Sequence, residues 1–260
     1  MKNRAAAGSA DPADETDPDL LKHNEISLTP ERGLTIMKIS YPYCLFYPEC
    51  GQSSPLASVS GTPYMLSLSD DSFHTAPPMD MLPDFQEWLD RQMGTDYSWG
   101  ISTYLENREP VLRSIPDKVR EQRFFHLGVD IILPRGSSLY TPLAATVAEI
   151  GFEEGRGSYG NYAVLKHSLA GAEPFYTMYG HLQKSSVPEA GTELDNGEKF
   201  AVIGDFSENG HWFYHTHVQI ITEKGREKGY IHKGYCSAAE LADIETFTPS
   251  PVPLLCLSLL

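Results

Sequence analysis

The sequence predicts a mainly β protein, an antiparallel β-sheet groove or sandwich preceded by an α+β extension, and three observations lead there. From Arg123 to about Ile221, short apolar segments such as "VDIILP", "TVAEIGF", "NYAVLKH", "FYTMYGHL" and "FYHTHVQII" follow one another between clusters of Gly, Pro, Asn and Ser. Strands this short and this closely spaced favour antiparallel pairing over the strand–helix alternation that a parallel sheet needs. Nineteen prolines and 21 glycines in 260 residues also punctuate the chain too often for a helical bundle.

Four regions follow from the patterning. Residues 1–35 are acidic, rich in Pro and Ala and poor in large apolar side chains, the composition of a disordered tail. Residues 36–120 read as an extension. In it "IMKISYPYCLFYP" suggests a strand leading into a loop, and Pro83 to Met93 suggests one short helix, with Phe85, Trp88, Leu89 and Met93 on one face after the start signals Pro83 and Asp84. Residues 121–225 are the β-rich domain. Residues 226–260 form a tail whose end, "TFTPSPVPLLCLSLL", is expected to be extended, packing back or fraying.

Composition narrows the function classes. With 41% hydrophobic and 21% charged residues the chain can bury a sizeable core. A formal charge of −15 without any basic run disfavours nucleic acid as a partner. "PLLCLSLL" is far too short to span a membrane. The early positive charges are followed by no apolar segment, so the sequence as it stands reads as leaderless and the expected location is cytoplasmic or unknown. Cys44, Cys50, Cys236 and Cys256 sit singly, a spacing that suggests neither a disulfide framework nor a zinc–thiolate knuckle.

Chemistry enters with "HTHVQI". On a strand His215 and His217 leave the same face roughly 6–7 Å apart, together with Phe213 and Gln219. A solvated strand carries such a pair without any function, so partners decide the matter. "FFHLGVD" offers His126 and Asp130, which a straight strand would hold about 13 Å apart; a bend at Gly128 would close the distance. "FYTMYGHL" ends in His181, in phase with Phe175, Thr177 and Tyr179. A catalytic zinc takes three protein ligands and keeps a position open. His126, Asp130 and His217 supply two imidazoles and a carboxylate, which leaves His181 and His215 for proton transfer near neutral pH.

The order "HLGVD", "MYGHL", "HTHVQ", with "PRGSSLYTPLAATVAEIG" and "SYGNYAVLKH" between them, resembles the lysostaphin-type zinc endopeptidases that cut peptidoglycan cross-links. The resemblance covers about residues 121–225. It implies zinc on His126, Asp130 and His217, with His181 and His215 as acid/base partners of a metal-activated water, and a peptide or peptidoglycan substrate. "VQ" follows the HxH pair where the family usually has an aromatic residue before Glu or Gln, and no tyrosine stands just upstream of His126. Gln219 is then a candidate outer contact to the last ligand, and His167 is expected to be structural. Two other readings stay open. Two histidines and a carboxylate also form the iron site of non-heme oxygenases, and a non-catalytic binding module of the same fold is a further alternative.

Overall fold

The computed structural model describes residues 38–47, 52–69, 76–77 and 81–259; the segment 1–35, with His23, and also Cys50 and His74 lie outside them. In chain order the strands are β1 (Tyr64–Met65), β2 (Gly100–Ile101), β3 (Arg123–His126), β4 (Val129–Ile132), β5 (Ser138–Tyr140), β6 (Ala145–Glu153), β7 (Gly160–His167), β8 (Phe175–Leu182), β9 (Glu193–Leu194), β10 (Lys199–Val202), β11 (His215–Thr222) and β12 (Tyr235–Ser237). Eight of them form one sheet in the order β1-β2-β4-β11-β8-β7-β6-β9. Every neighbouring pair in it is antiparallel except β1 and β2. The mainly β, antiparallel architecture read from the sequence is therefore the architecture found.

Burial follows strand position. β8 is buried at every residue and β7 at nearly every one, as expected of central strands covered on both faces, whereas β6 alternates and leaves Ile150 and Phe152 in water. On one face Val129, Ile131, Tyr179, Ala163, Leu165 and Val218 pack against Phe200, Ala201 and Ile203. On the other lie Leu127, Tyr159, Val164, Met178, Ile231 and Cys236. His215 and His217, which alternate with Val218 along β11, face this second side.

The extension departs from expectation in three places. Where a strand was expected from Ile36, the described part makes one isolated bridge, Ile39 to Ala172, and then a 3-10 turn at Tyr43–Phe46. Pro42 has no N–H to give a ladder. The helix expected at Pro83–Met93 is α1 (Leu82–Met93), and it buries Phe85 and Leu89. Two further helices, α2 (Glu109–Leu112) and α3 (Pro116–Glu121), begin with a proline in the first turn and are too short to show a helical period. The stretch after β2 runs along β4 and β3: Ser102 N–H donates to the Asp130 carbonyl at 3.0 Å and Arg108 N–H to that of Phe124 at 2.9 Å.

The C-terminal part holds α4 (Glu223–Glu227), α5 (Ile244–Phe247) and α6 (Val252–Leu259). α6 corrects the expectation of an extended tail. Pro253 lies in its first turn, where the missing N–H costs nothing, and Leu254 and Leu255 are buried in the core. No helix among the described residues is long and apolar enough to cross a membrane. Cys44 and Cys236 are free and buried, and Cys256 is free and exposed.

Candidate metal centre

Three elements carry the centre. β3 pairs with β12, and β4 belongs to the large sheet, so the chain changes sheets at Leu127–Gly128. This break brings His126 Nε2 to 3.3 Å from Asp130 Oδ1, far less than a straight strand allows. Asp130 lies directly opposite His217 in the β4–β11 register. A Cβ added to Gly128 would stand 2.5 Å from His217 Cε1 and 2.6 Å from the Val218 carbonyl oxygen. Glycine is thus required there because β11 comes so close.

Hydrogen bonds fix which atom each side chain presents. The Gln219 amide nitrogen donates to the carbonyls of Tyr230 and Lys233, each at 3.3 Å, which turns Oε1 toward His217. His217 Nε2–H donates to that oxygen at 3.1 Å, so Nδ1 carries the lone pair. His126 Nδ1–H points to the Thr103 carbonyl at 3.3 Å, so its lone pair is on Nε2. His126 Nε2 and His217 Nδ1 are 2.9 Å apart, and each is 3.3 Å from Asp130 Oδ1. Three lone-pair atoms face one point with no proton between them, an arrangement that repels itself unless a cation occupies that point. A tetrahedral zinc with bonds of about 2.0–2.1 Å holds its ligand atoms roughly 3.4 Å apart, close to the spacing found. The donor set therefore fits the ion.

The charge balance agrees. Arg108, Glu106 and Asp130 are all buried, so one guanidinium faces two carboxylates, an excess of one negative charge that a divalent ion more than offsets. Arg108 Nη2 lies 2.6 Å from Asp130 Oδ2 and its Nε is 2.9 Å from Glu106 Oε2. Burial alone would raise the Asp130 pKa, but the Arg108 guanidinium outweighs it and holds the carboxyl well below its usual range. Burial first, then Arg108, pushes His126 down to about 3. Both groups are thus in the ionisation state that binds metal.

His181 and His215 stand beside the centre with ring centroids 4.2 Å apart. His215 Nδ1–H donates to the Phe213 carbonyl at 2.8 Å and His181 Nδ1–H to that of Asn209 at 2.7 Å, leaving both Nε2 atoms as acceptors. His215 Nε2 is 3.6 Å from Asp130 Oδ1. Burial lowers the pKa of both rings, to about 4 for His215. His181 does not reach the centre by strand phase with Phe175, Thr177 and Tyr179. Tyr179 pairs with Val218 and shares its core, on the face away from the centre, and plain alternation would send His181 there too. Between Tyr179 and Leu182, β8 has one residue more than the facing stretch of β7. At this bulge His181 takes a left-handed φ of 66°, which turns its ring to the other face. Gly180 leaves the room that Tyr159 and His217 fill.

The structure brings all five sequence-predicted residues together. Several others in the centre carry no sequence signal: Ser102 and Arg108 come from the extension and Tyr235 from β12, each an isolated residue in its segment. Tyr159, in the quoted "SYGNY", donates to Gln219 Oε1 at 3.3 Å. His211 is exposed and lines a separate cavity of about 340 Å³. His167 is buried away from the centre, between the Ala144 carbonyl and Thr177.

Residues 124–228 match peptidase family M23. The segment that carries the site is thus of the M23 peptidase type, and the resemblance to lysostaphin-type metallopeptidases holds over it. Among solved structures, the chain is similar to a zinc-containing peptidase from Vibrio cholerae, at 25% identity over 38% of this chain and 28% of that one, with a TM-score of 0.32. The catalytic domain of lysostaphin from Staphylococcus simulans matches at 18% identity over 47% and 80%, TM-score 0.34. A putative M23 peptidase from Pseudomonas aeruginosa matches at 19% identity over 50% and 43%, TM-score 0.33. The chain spans less than half of the Vibrio and Pseudomonas proteins. No curated protein matches it.

Proposed function

We propose that the protein is a zinc-dependent endopeptidase that hydrolyses peptide bonds in peptidoglycan cross-links or similar small-residue peptides. The convergence of the His126 Nε2, Asp130 Oδ1 and His217 Nδ1 lone pairs on one point carries this reading. A zinc ion held there supplies Lewis acidity to the scissile carbonyl and lowers the pKa of water. Around it, Gln219 fixes the His217 ring and Arg108 keeps Asp130 ionised. His215 and His181, neutral and held by the Phe213 and Asn209 carbonyls, offer their Nε2 atoms to take a proton from water and pass it to the leaving amine. This division of labour gives the paired histidines of β11 distinct tasks: His217 binds and His215 moves protons. The working unit is residues 121–225, flanked by the extension 36–120 and the tail 226–260.

The test is to load the full chain with zinc and measure amine release from purified peptidoglycan and from glycine- and D-alanine-containing peptides, with and without a chelator. Chelator-sensitive release is expected. A protein that binds zinc stoichiometrically and cleaves none of these overturns the assignment, and iron with oxoacid-dependent oxygen consumption would point to the oxygenase chemistry instead.

A further inference from the structure

Lys118 shares the cleft of the metal centre, yet the hydrolytic scheme above gives it no task. It belongs to α3, outside the segment that matches family M23. With Tyr235 and Glu153 it walls a cleft whose other lining includes Asp130, His215 and His217. Its ammonium sits 5.1 Å from the centre of the Tyr235 ring, and that ring is 5.6 Å from the ring of His126. One aromatic ring thus separates the charge from a metal ligand.

The nearby carboxylates are engaged elsewhere. Asp117 pairs with Arg120, and Glu121 with Arg120 and Arg123. Glu153 accepts the Tyr159 N–H at 2.9 Å. Arg108, the other cation of the cleft, is held by Asp130 and Glu106. Among the described residues, none forms an ion pair with Lys118, whose ammonium lies instead over the Tyr235 ring. Burial, then Arg123, lowers its pKa, and the opposing pull of Glu153, Glu121 and Asp117 does not make up for it. A half-buried cation with no carboxylate in ion-pair contact gains when an incoming anion supplies that contact.

We propose that Lys118 anchors a substrate carboxylate, so that the preferred substrate is a peptide with an ionised carboxylate close to the scissile bond. The two steps of 5.1 and 5.6 Å limit the reach, and because an extended peptide covers about 3.3–3.6 Å per residue the carboxylate lies within roughly three residues of that bond. The inference rests on the hydrolytic reading of the same centre. The cleft has room for only about 20 Å³, so a peptide enters as its walls shift; α3, none of whose side chains is fully buried, is one of those walls.

The experiment uses the zinc-loaded full chain, wild type, Lys118→Met and Lys118→Arg. Two peptide pairs separate the sources of the carboxylate: a free C-terminus against its amide, and a Glu side chain against Gln. Wild type is expected to prefer the acid of at least one pair by about 10- to 100-fold in kcat/KM, the value of a charge-assisted contact. The preference should collapse toward unity in Lys118→Met and largely return in Lys118→Arg. A structural role would lower acid and neutral peptides alike and leave the ratio intact, which overturns the proposal, as does equal handling of both pairs by wild type. If no peptide is cut, calorimetry with the same pairs decides: acid-selective binding that needs Lys118 supports the anchor while sinking the hydrolase, and binding without that selectivity overturns the anchor.

Discussion

Arg108 Nη2 lies 2.6 Å from Asp130 Oδ2, with both side chains buried, while Asp130 Oδ1 is the oxygen turned toward His126 and His217. One carboxylate thus joins a fixed internal cation to the proposed metal. Removing the partner of a buried ion pair costs about 3–5 kcal/mol because the remaining charge is stranded. Arg108→Met should lose that much stability in chelator, and clearly less in saturating zinc, where the ion becomes the counter-charge of Asp130. Denaturant melts of both proteins under both conditions measure the difference. The same loss with and without zinc would mean that the ion does not sit on Asp130.

His181 and His215 present Nε2 atoms to the centre and, on the proposed division of roles, would not be needed to hold the ion. Replacing either with alanine should lower kcat by about 100- to 10,000-fold with zinc content unchanged, whereas His126→Ala and His217→Ala should lose the metal. Metal analysis beside the turnover assay checks both halves. Zinc missing from the His215→Ala protein would put that ring among the ligands.

Gln219 would act on the proposed metal only through His217. Its Oε1 accepts the Nε2–H at 3.1 Å and so keeps the lone pair on Nδ1. Gln219→Leu should weaken zinc affinity by about 10- to 100-fold, and Gln219→Glu, which keeps the acceptor, should retain more of it. Competition with a chelating dye reads the affinities. Unchanged binding in Gln219→Leu would leave this hydrogen bond without influence on the site.

Gly128→Ala tests how closely β11 approaches the chain between β3 and β4. The new methyl would meet the His217 ring at 2.5 Å and the Val218 carbonyl oxygen at 2.6 Å, one of them backbone, so the strands must part. Loss of zinc binding with a destabilisation of about 1–3 kcal/mol is expected from such overpacking. An alanine variant that binds zinc as wild type does would show that the contact relaxes easily.

Legibility in the sequence tracked how local each signal was. His215 and His217 were readable because a strand's two-residue period puts them on one face, and the cross-strand register then sets Asp130 opposite His217. The break at Gly128 was anticipated, but its cause, the approach of β11, was not. Strand phase alone would send His181 to the far face, and the bulge in β8 that turns it back depends on two strands at once. Arg108, Ser102 and Tyr235 were invisible for the same reason: each is a single residue brought in from far along the chain, without a motif. The helix at Leu82–Met93 has twelve residues over which to show its stripe, while α2 and α3 are too short to show one, and the prolines of α6 masked a helix that starts with them.

His167 separates the stability of the fold from the chemistry of the centre. Its ring is buried, stacked on Phe175 with centroids 4.9 Å apart; Nδ1–H donates to the Ala144 carbonyl and Nε2 accepts from the Thr177 hydroxyl. Burial pushes its pKa from 6.5 down to about 4, against a smaller opposing pull from the Ala144 carbonyl. A depressed histidine pKa means that the unfolded chain takes up the proton first. The contribution is therefore fully present above the unfolded value and is lost as the pH falls toward the folded one. Between about pH 7.5 and about pH 5 this single group should remove about 2 kcal/mol of stability. Wild type should lose that much more than His167→Gln over the same interval in denaturant melts. Should the variant fail to fold, the ring resonances of wild-type His167 followed by NMR decide: protonation near pH 6.5 would show that the site does not resist the charge.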